Sequence, residues 1–523
     1  SVKLSKISRR SVFYSLFAIS VSNSFLQLLG FLYRIFLSRM AGAEALGVYQ
    51  LVTPFYSVMS SLALSGLTVA VARIAASKAG VGDITAATRS VTLCRRIFFI
   101  SVFVLTGFCV LFPNVISQKI LGDERTIHSL PLVFICLFLT GIENIFKNYF
   151  YGVGKVYPQI ISELSEQIIR ALAVASLLIM FHTGDAGIGA MLIFLGMVIS
   201  EMFSSSLLSL FYRPEKRRLS SRRSEPVKTA DILAISIPVS AAATVNNLLG
   251  SVNSILLPRR LQCAGMSRLT ATEAFGAMFG MTMPLLMFPI AFIASLTSVM
   301  VPKVSEHLAA GDEHELRRKA GKTIHATGLL AMPCFAVLIP LGEPVCRVLF
   351  SHEAAGGFIL PLGIGTLFSY YEMTTGALLN GIGMQKKAAV YIVISGLLQL
   401  IFTWSAGVPH IGMNGYVAGY VFSSGLCALL NFRCLKKRLH LSPRIGNWFI
   451  TPFVASLFSC LICDITYNFL LARALPLSLC LAIAAITALA SYAISLGAMG
   501  TNIIKYIKTL IPRGVQSAYG NFA

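Results

Sequence analysis

A chain of 523 residues with 56 % hydrophobic and only 12 % charged residues is too apolar for a soluble protein. Its mean hydropathy of +0.76 predicts an all-α polytopic membrane protein, because its long continuous apolar runs suit spanning helices rather than alternating barrel strands. The net charge of +22 invites a nucleic-acid partner, but Lys and Arg concentrate in every second loop, which argues for membrane orientation instead.

About fourteen apolar runs are each long enough to cross a bilayer as a helix, which needs roughly 20 residues. Lys and Arg favour one set of alternate loops by about four to one, which predicts a multi-pass membrane protein with both termini in the cytoplasm. In chain order, the predicted runs 1 to 14 are 11–38, 47–77, 91–113, 129–151, 158–182, 186–212, 230–257, 273–302, 322–350, 357–382, 388–406, 413–435, 447–470 and 476–498.

The sequence contains an internal repeat, which points to a duplicated membrane unit. Matching segments recur at an offset of 229 residues, and a basic segment at 213–219 recurs at 433–439. An even number of helices per copy predicts parallel repeats around an axis along the membrane normal.

The predicted parts are a six-helix lobe at 1–219, a basic cytoplasmic linker at 220–229, a second six-helix lobe at 230–440, and two further helices with a cytoplasmic tail at 441–523. The matched positions are Glu143 with Glu372, Gly152 with Gly381, Gly154 with Gly383, Glu44–Gly47 with Glu273–Gly276, and Gly82–Asp83 with Gly311–Asp312.

Ionisable residues at membrane depth are costly, so those in runs 4 and 5 are candidate functional residues. Glu143 and Lys147 lie one turn apart in run 4, and Glu166 and Arg170 lie one turn apart in run 5. The two runs are antiparallel and both pairs lie about ten residues from the shared turn, which predicts one cluster. Two interpretations stay open: an ion-pair network that only joins the helices, or one wall of a hydrated cavity.

Other polar residues within the runs are candidates for the same substrate cavity. Arg34 in run 1 either extends its side chain to the outer headgroups or faces the cavity. Glu201 in run 6 and Asp464 in run 13 look isolated, and we expect structural roles for both. The remaining cavity candidates are Asn246, Asn253, Arg259, Arg260, Glu372 and Asn380.

No motif indicates an enzyme, a cofactor or a metal site. The paired glycines at 152–154 and 381–383 follow no strand, so tight inner turns explain them better than nucleotide loops, and the sequence contains no Walker A motif. The Cys460–Cys463 pair lies in an apolar run, where packing is the expected role.

Several segments resemble the polysaccharide-transporter branch of the multidrug/oligosaccharidyl-lipid/polysaccharide exporter superfamily. The resemblance implies two six-helix lobes in a V, two extra helices, and movement of a lipid-linked saccharide across the bacterial cell membrane. For this branch it also implies a role in spore cortex peptidoglycan synthesis. Run 8 contains no Arg, and the nearest Arg before it is Arg268. Lipid II flippases, which are similar to this branch, carry several arginines in the substrate cavity. The matching segments are 29–39, 42–50, 253–261, 302–306 with Gly311–Asp312, and 374–383.

Three functions remain open from the sequence. The leading hypothesis is a flippase for a lipid-linked cell-wall precursor, whose pyrophosphate suits Arg and whose sugars suit Asn and Gln. The alternatives are an ion-coupled drug antiporter and a non-transporting scaffold. The expected partners are the lipid-linked substrate and membrane lipids, with cell-wall synthesis or sporulation proteins as further candidates and no nucleic acid.

Overall fold

The computed structural model describes residues 9–81, 83–181, 184–217, 227–441 and 446–501, and every regular element within these ranges is a helix. Most of the predicted linker (220–226), the first eight residues and the predicted tail from residue 502 lie outside them. The helices are α1 (Arg9–Ser60), α2 (Gly66–Gly80), α3 (Ile84–Leu111), α4 (Leu130–Gly152), α5 (Tyr157–Phe181), α6 (Ala186–Arg217), α7 (Thr229–Cys263), α8 (Arg268–Gly276), α9 (Met283–Leu286), α10 (Ile290–Ala309), α11 (Glu313–Phe350), α12 (Ile359–Gly381), α13 (Gln385–Ser405), α14 (Met413–Leu439), α15 (Thr451–Ala472) and α16 (Leu477–Ala498).

The described helices confirm a polytopic all-α membrane protein. Twelve of them are long and apolar enough to span a bilayer, and the number is 13 if one bent helix pair counts as a single span. The sequence-based number of about fourteen is therefore approximate.

The predicted gap between runs 1 and 2, residues 39–46, contains a break in the helix. The range of α1 covers this break, and α1 joins α2 through a π-helical turn at Ser61–Ser65. The backbone leaves helical geometry at Gly42, where φ is 77° and ψ is 169°. Glycine adopts this positive φ without a steric penalty, so a single residue redirects the chain.

Run 8, predicted as one spanning helix, is bent in the structure. A π-helical stretch, Ala277–Thr282, follows α8, and the chain then bends by 51° before α10. Pro284 lies in α9 and Pro289 caps α10. Proline lacks the amide proton that a continuous helix needs, which accounts for a break at this point.

Helix bounds recur at the offset found in the sequence. The first and last residues of α4 and α12 each differ by 229 positions, as do the first residues of α3 and α11. Asp83 and Asp312 each cap the helix that follows with a side-chain oxygen. Gly154 and Gly383 have φ of 78° and 80°, so both paired-glycine segments form tight turns. These recurrences agree with duplication, and superposition of the copies stays a prediction.

The described residues form two compact units. One contains the residues up to Pro284 with Gly396–Gly419, and the other contains Leu285–Ser395 with the residues from Tyr420. In the first unit, Gly141 leaves room for the ring of Phe98 within an aromatic core. In the second unit, Trp448 packs on Gly321 and Gly328 of α11. Small residues permit such close contacts in membrane helices. The predicted lobe boundaries stay predictions.

Candidate functional site

A buried charged cluster joins α4, α5 and α6 in the first unit. On α4, Lys147 Nζ lies 2.5 Å from Glu143 Oε1, one helical turn away. The same ammonium lies 3.3 Å from Glu166 Oε2 and 3.7 Å from Glu163 Oε1 on α5. Three carboxylates therefore surround one lysine inside the spanning helices.

Arg170 extends the cluster from α5 to α6. Its guanidinium pairs with Glu166 one turn earlier and lies 3.4 Å from Glu201 Oε1. Its Nε also donates to Ser200 Oγ at 3.3 Å. The predicted cluster of Glu143, Lys147, Glu166 and Arg170 is therefore present, and its role in a substrate cavity stays a prediction.

Glu201 is not isolated, which corrects the sequence-based interpretation. It belongs to the cluster through Arg170, and Ser204 on the same face of α6 donates to Glu143 Oε1 at 2.5 Å. Ser162 of α5 lies 2.5 Å from Ser204, and both hydroxyls are fully buried. Polar residues at 200, 201 and 204 within run 6 carried the signal, because these spacings place them on one helix face.

The cluster has more carboxylates than cations. Four glutamates, at 143, 163, 166 and 201, face Lys147 and Arg170. Oxygens of three of them, Glu143, Glu166 and Glu201, lie within 4.8 Å of one another. The ammonium and guanidinium occupy the positions around these oxygens, so the group fits proton sharing better than a resident metal.

Two buried polar atoms beside Arg170 lack a partner among the described residues. They are Oε2 of Glu201 and the hydroxyl of Tyr33 on α1. A buried unpaired oxygen costs free energy, and ordered water commonly satisfies such groups. The cluster is therefore chemically suited to hold water or an additional proton.

Other cavity candidates in the first unit are dispersed. Arg34 is exposed on α1, and Asn246 is exposed on α7. Asn253 is buried, where it accepts a hydrogen bond from Thr403 at 2.8 Å. The charged cluster therefore does not include these three residues.

The two arginines that end α7 have local partners. Arg259 donates to three backbone carbonyls, those of Gln118, Lys119 and Ile120, at the end of a π-helical turn. The guanidinium carbon of Arg260 lies 4.1 Å from the ring centre of Trp404. Carbonyl capping and ring stacking are structural roles, and contact of either arginine with substrate stays a prediction.

Among the described residues of the second unit, no comparable charge network surrounds Glu372. Glu372 is half-buried on α12, and Asn431 Nδ2 of α14 lies 3.4 Å from its backbone carbonyl. At the position 229 residues after Lys147, the sequence has Gly376. Asn380 is exposed near the end of the same helix. The two equivalent glutamates therefore occupy different environments.

An apolar groove of about 760 Å³ also lies in the second unit, between α11, α12, α14 and α15. Aromatic and aliphatic side chains line it, including Phe368, Phe422 and Phe453, which are exposed. Gly425 of α14 leaves space in the groove, since the three atoms nearest to a Cβ there belong to Phe368, at 3.4 Å or more. This groove was not predicted, because its walls come from four helices distant in sequence.

Comparisons with known proteins agree with this architecture. Residues 12–308 match the family model described as polysaccharide biosynthesis protein, and residues 266–405 match the model MatE. Stage V sporulation protein B of Bacillus subtilis is 24 % identical over 81 % of this chain and 83 % of its own length. The lipid II flippase MurJ of the same organism is 20 % identical over 74 % of this chain and 75 % of its own length.

The fold is also similar to that of solved transporters. A multidrug resistance transporter of the MATE family, solved in an inward-facing conformation, matches with a TM-score of 0.66 and 18 % identity. The match covers 79 % of this chain and 94 % of the transporter. At this identity the similarity concerns the fold.

Proposed function

This chain belongs to the polysaccharide biosynthesis protein family, and on that premise we propose that it flips a lipid-linked cell-wall saccharide across the membrane. It is a multi-pass membrane protein with relatives named as a flippase and a transporter, not as enzymes. We further propose that the substrate is a precursor of spore cortex peptidoglycan. The similarity to a sporulation protein supports this finer assignment.

The observation that carries the proposal is the apolar groove on α11, α12, α14 and α15. A drug antiporter needs a cavity for a compact molecule, whereas a flippase must also accommodate a long hydrocarbon tail. The groove offers a continuous apolar wall in the spanning region, and its aromatic rings provide contacts along a chain of CH₂ groups. We assign the tail to this groove.

The head group needs a separate site, because its pyrophosphate is anionic. The buried cluster has more carboxylates than cations, so it would repel phosphate. Arg34 is exposed and makes no ion pair with another described residue, which leaves its guanidinium available to grip two phosphate oxygens. We therefore assign Arg34 to the pyrophosphate and the cluster to the cation or proton that drives transport.

An ion-coupled drug antiporter is the second candidate. The surplus of buried carboxylates around Lys147 and Arg170 favours it, because such a group can change its protonation during a transport cycle. Coupling to protons is equally compatible with a flippase. The substrate, rather than the cluster, distinguishes the two functions.

The test is a flipping assay in proteoliposomes with a fluorescent undecaprenyl-pyrophosphate saccharide. We expect the wild type to flip it, and Gly425→Leu to slow flipping by about threefold or more. The effect is modest because a tail gains only packing when it moves from lipid into the groove. Gly497→Leu on α16 is the matched control, since a Cβ there meets nothing within 4 Å.

The same vesicles decide between the candidates. Export of cationic drugs without flipping would support the antiporter. Equal flipping rates of Gly425→Leu and Gly497→Leu, at equal protein levels, would contradict the assignment of the tail to the groove.

A further inference from the structure

A buried carboxylate in the connection before α4 lies between two arginines. Asp123 is 2 % exposed. Arg125 donates to it from Nε at 3.0 Å and from Nη2 at 2.8 Å. Arg268, in the first turn of α8, donates to Asp123 Oδ1 at 2.7 Å. The carboxylate therefore joins a connection of the predicted first copy to a helix of the predicted second copy.

The connection is built to hold Asp123 in place. Ser117 Oγ donates to the Asp123 carbonyl at 3.0 Å, and Thr126 Oγ1 donates to the same oxygen at 2.6 Å. Arg125 also pairs with Glu44 on α1. When Arg268 leaves, Arg125 still neutralises the buried Asp123, so the second contact can break without an unpaired buried charge.

Beside this pair, α1 and α8 touch backbone to backbone. A Cβ on Gly47 would lie 2.3 Å from the Thr272 carbonyl oxygen, and one on Gly276 would lie 2.0 Å from that of Ala43. Gly276 and Thr272 are the residues 229 positions after Gly47 and Ala43. Equivalent residues therefore contact each other reciprocally, as they do at a twofold axis.

We propose that the Asp123–Arg268 pair and the α1–α8 glycine contact form an outer latch, which keeps the two copies closed on the outer side and opens during transport. The inference rests on the proposed function and on the charge-based orientation. A flippase with two sides must separate its copies on each side in turn. The glycine contact provides the closed geometry, and the half-exposed Arg268 provides a releasable bond.

Thr272 supplies a reporter that does not depend on the substrate. It is 1 % exposed against Gly47 in the closed contact. In a Cys263→Ser background, which removes an exposed native thiol, Thr272→Cys would react with a membrane-impermeant maleimide only after the contact opens.

We expect Arg268→Glu to raise the labelling rate of Thr272→Cys by roughly two- to fivefold, because loss of a partly exposed ion pair shifts the equilibrium between the closed and open contact by that factor. Arg268→Lys, which keeps the charge, should label nearly as the parent does. The matched control is Arg318→Glu, which reverses another exposed arginine paired with Glu315 on α11. If Arg268→Glu does not reach the membrane, Arg268→Gln replaces it.

An unchanged labelling rate in Arg268→Glu or Arg268→Gln overturns the latch, as does an equal increase in Arg318→Glu. Flipping is measured on the same preparations. Faster labelling in a protein that flips no lipid-linked saccharide would leave the latch in place and contradict the proposed function. Normal flipping with unchanged labelling would contradict the latch alone.

Discussion

Adjacent residues on α1 divide between two environments. Tyr33 is largely buried, and its hydroxyl has no partner among the described residues. Arg34 is exposed, because successive residues of a helix project about 100° apart. The charged cluster therefore does not neutralise Arg34. The two sequence-based interpretations of Arg34, headgroup contact and substrate contact, predict different outcomes on mutation.

We expect Arg34→Ala and Arg34→Lys to reach the membrane in normal amounts and to lose most flipping activity. Lysine lacks the planar fork that grips two phosphate oxygens, so it should serve poorly at a pyrophosphate. If Arg34 only reaches the headgroups, lysine should replace it fully. The measurement is the flipping rate at matched protein levels. Arg39→Lys, one turn nearer the outer surface, is the control and should retain activity.

At the scale of helices, spacing within one run predicted contacts better than spacing between runs. Glu143 with Lys147 and Glu166 with Arg170 follow from the helical repeat, and the shared turn places them at one depth. Glu201 was missed because its partner Arg170 lies on another helix, and the polar face at 200, 201 and 204 does not identify that partner. The apolar groove was missed for the same reason, since it depends on how four helices pack.

The cluster should contribute strongly to the stability of the first unit. We expect Lys147→Met to destabilise it by about 3–5 kcal/mol, because Glu143 is left buried beside other carboxylates. Arg318→Met, which breaks an exposed pair with Glu315, should change stability by less than about 1 kcal/mol. Unfolding in mixed micelles measures both. Glu143→Gln should recover part of the loss in a double variant, and equal stability of the Lys147 and Arg318 variants would contradict the assignment.

At the scale of the molecule, run length and repeats predicted the fold class, and the break inside run 8 escaped prediction. Apolar length sets the number of spans within one or two, because bilayer thickness fixes the length of a helix. The break at Gly42 lies in the predicted gap between runs 1 and 2, whereas the bend between α8 and α10 lies within an apolar run. Glycine and proline are common in spanning helices, so their presence alone does not locate a break.

The orientation of the chain in the membrane is a property of the whole molecule, and it determines on which side of the membrane the latch closes. The alternation of Lys and Arg predicts that the end of α7 lies outside and that the start of α13 lies inside. Both positions offer an exposed residue, Cys263 and Gln385. We expect an impermeant maleimide to label Cys263 in intact cells, and to label Gln385→Cys in a Cys263→Ser background only after permeabilisation. The opposite pattern would place both termini outside, and the contact between α1 and α8 would then close the inner side.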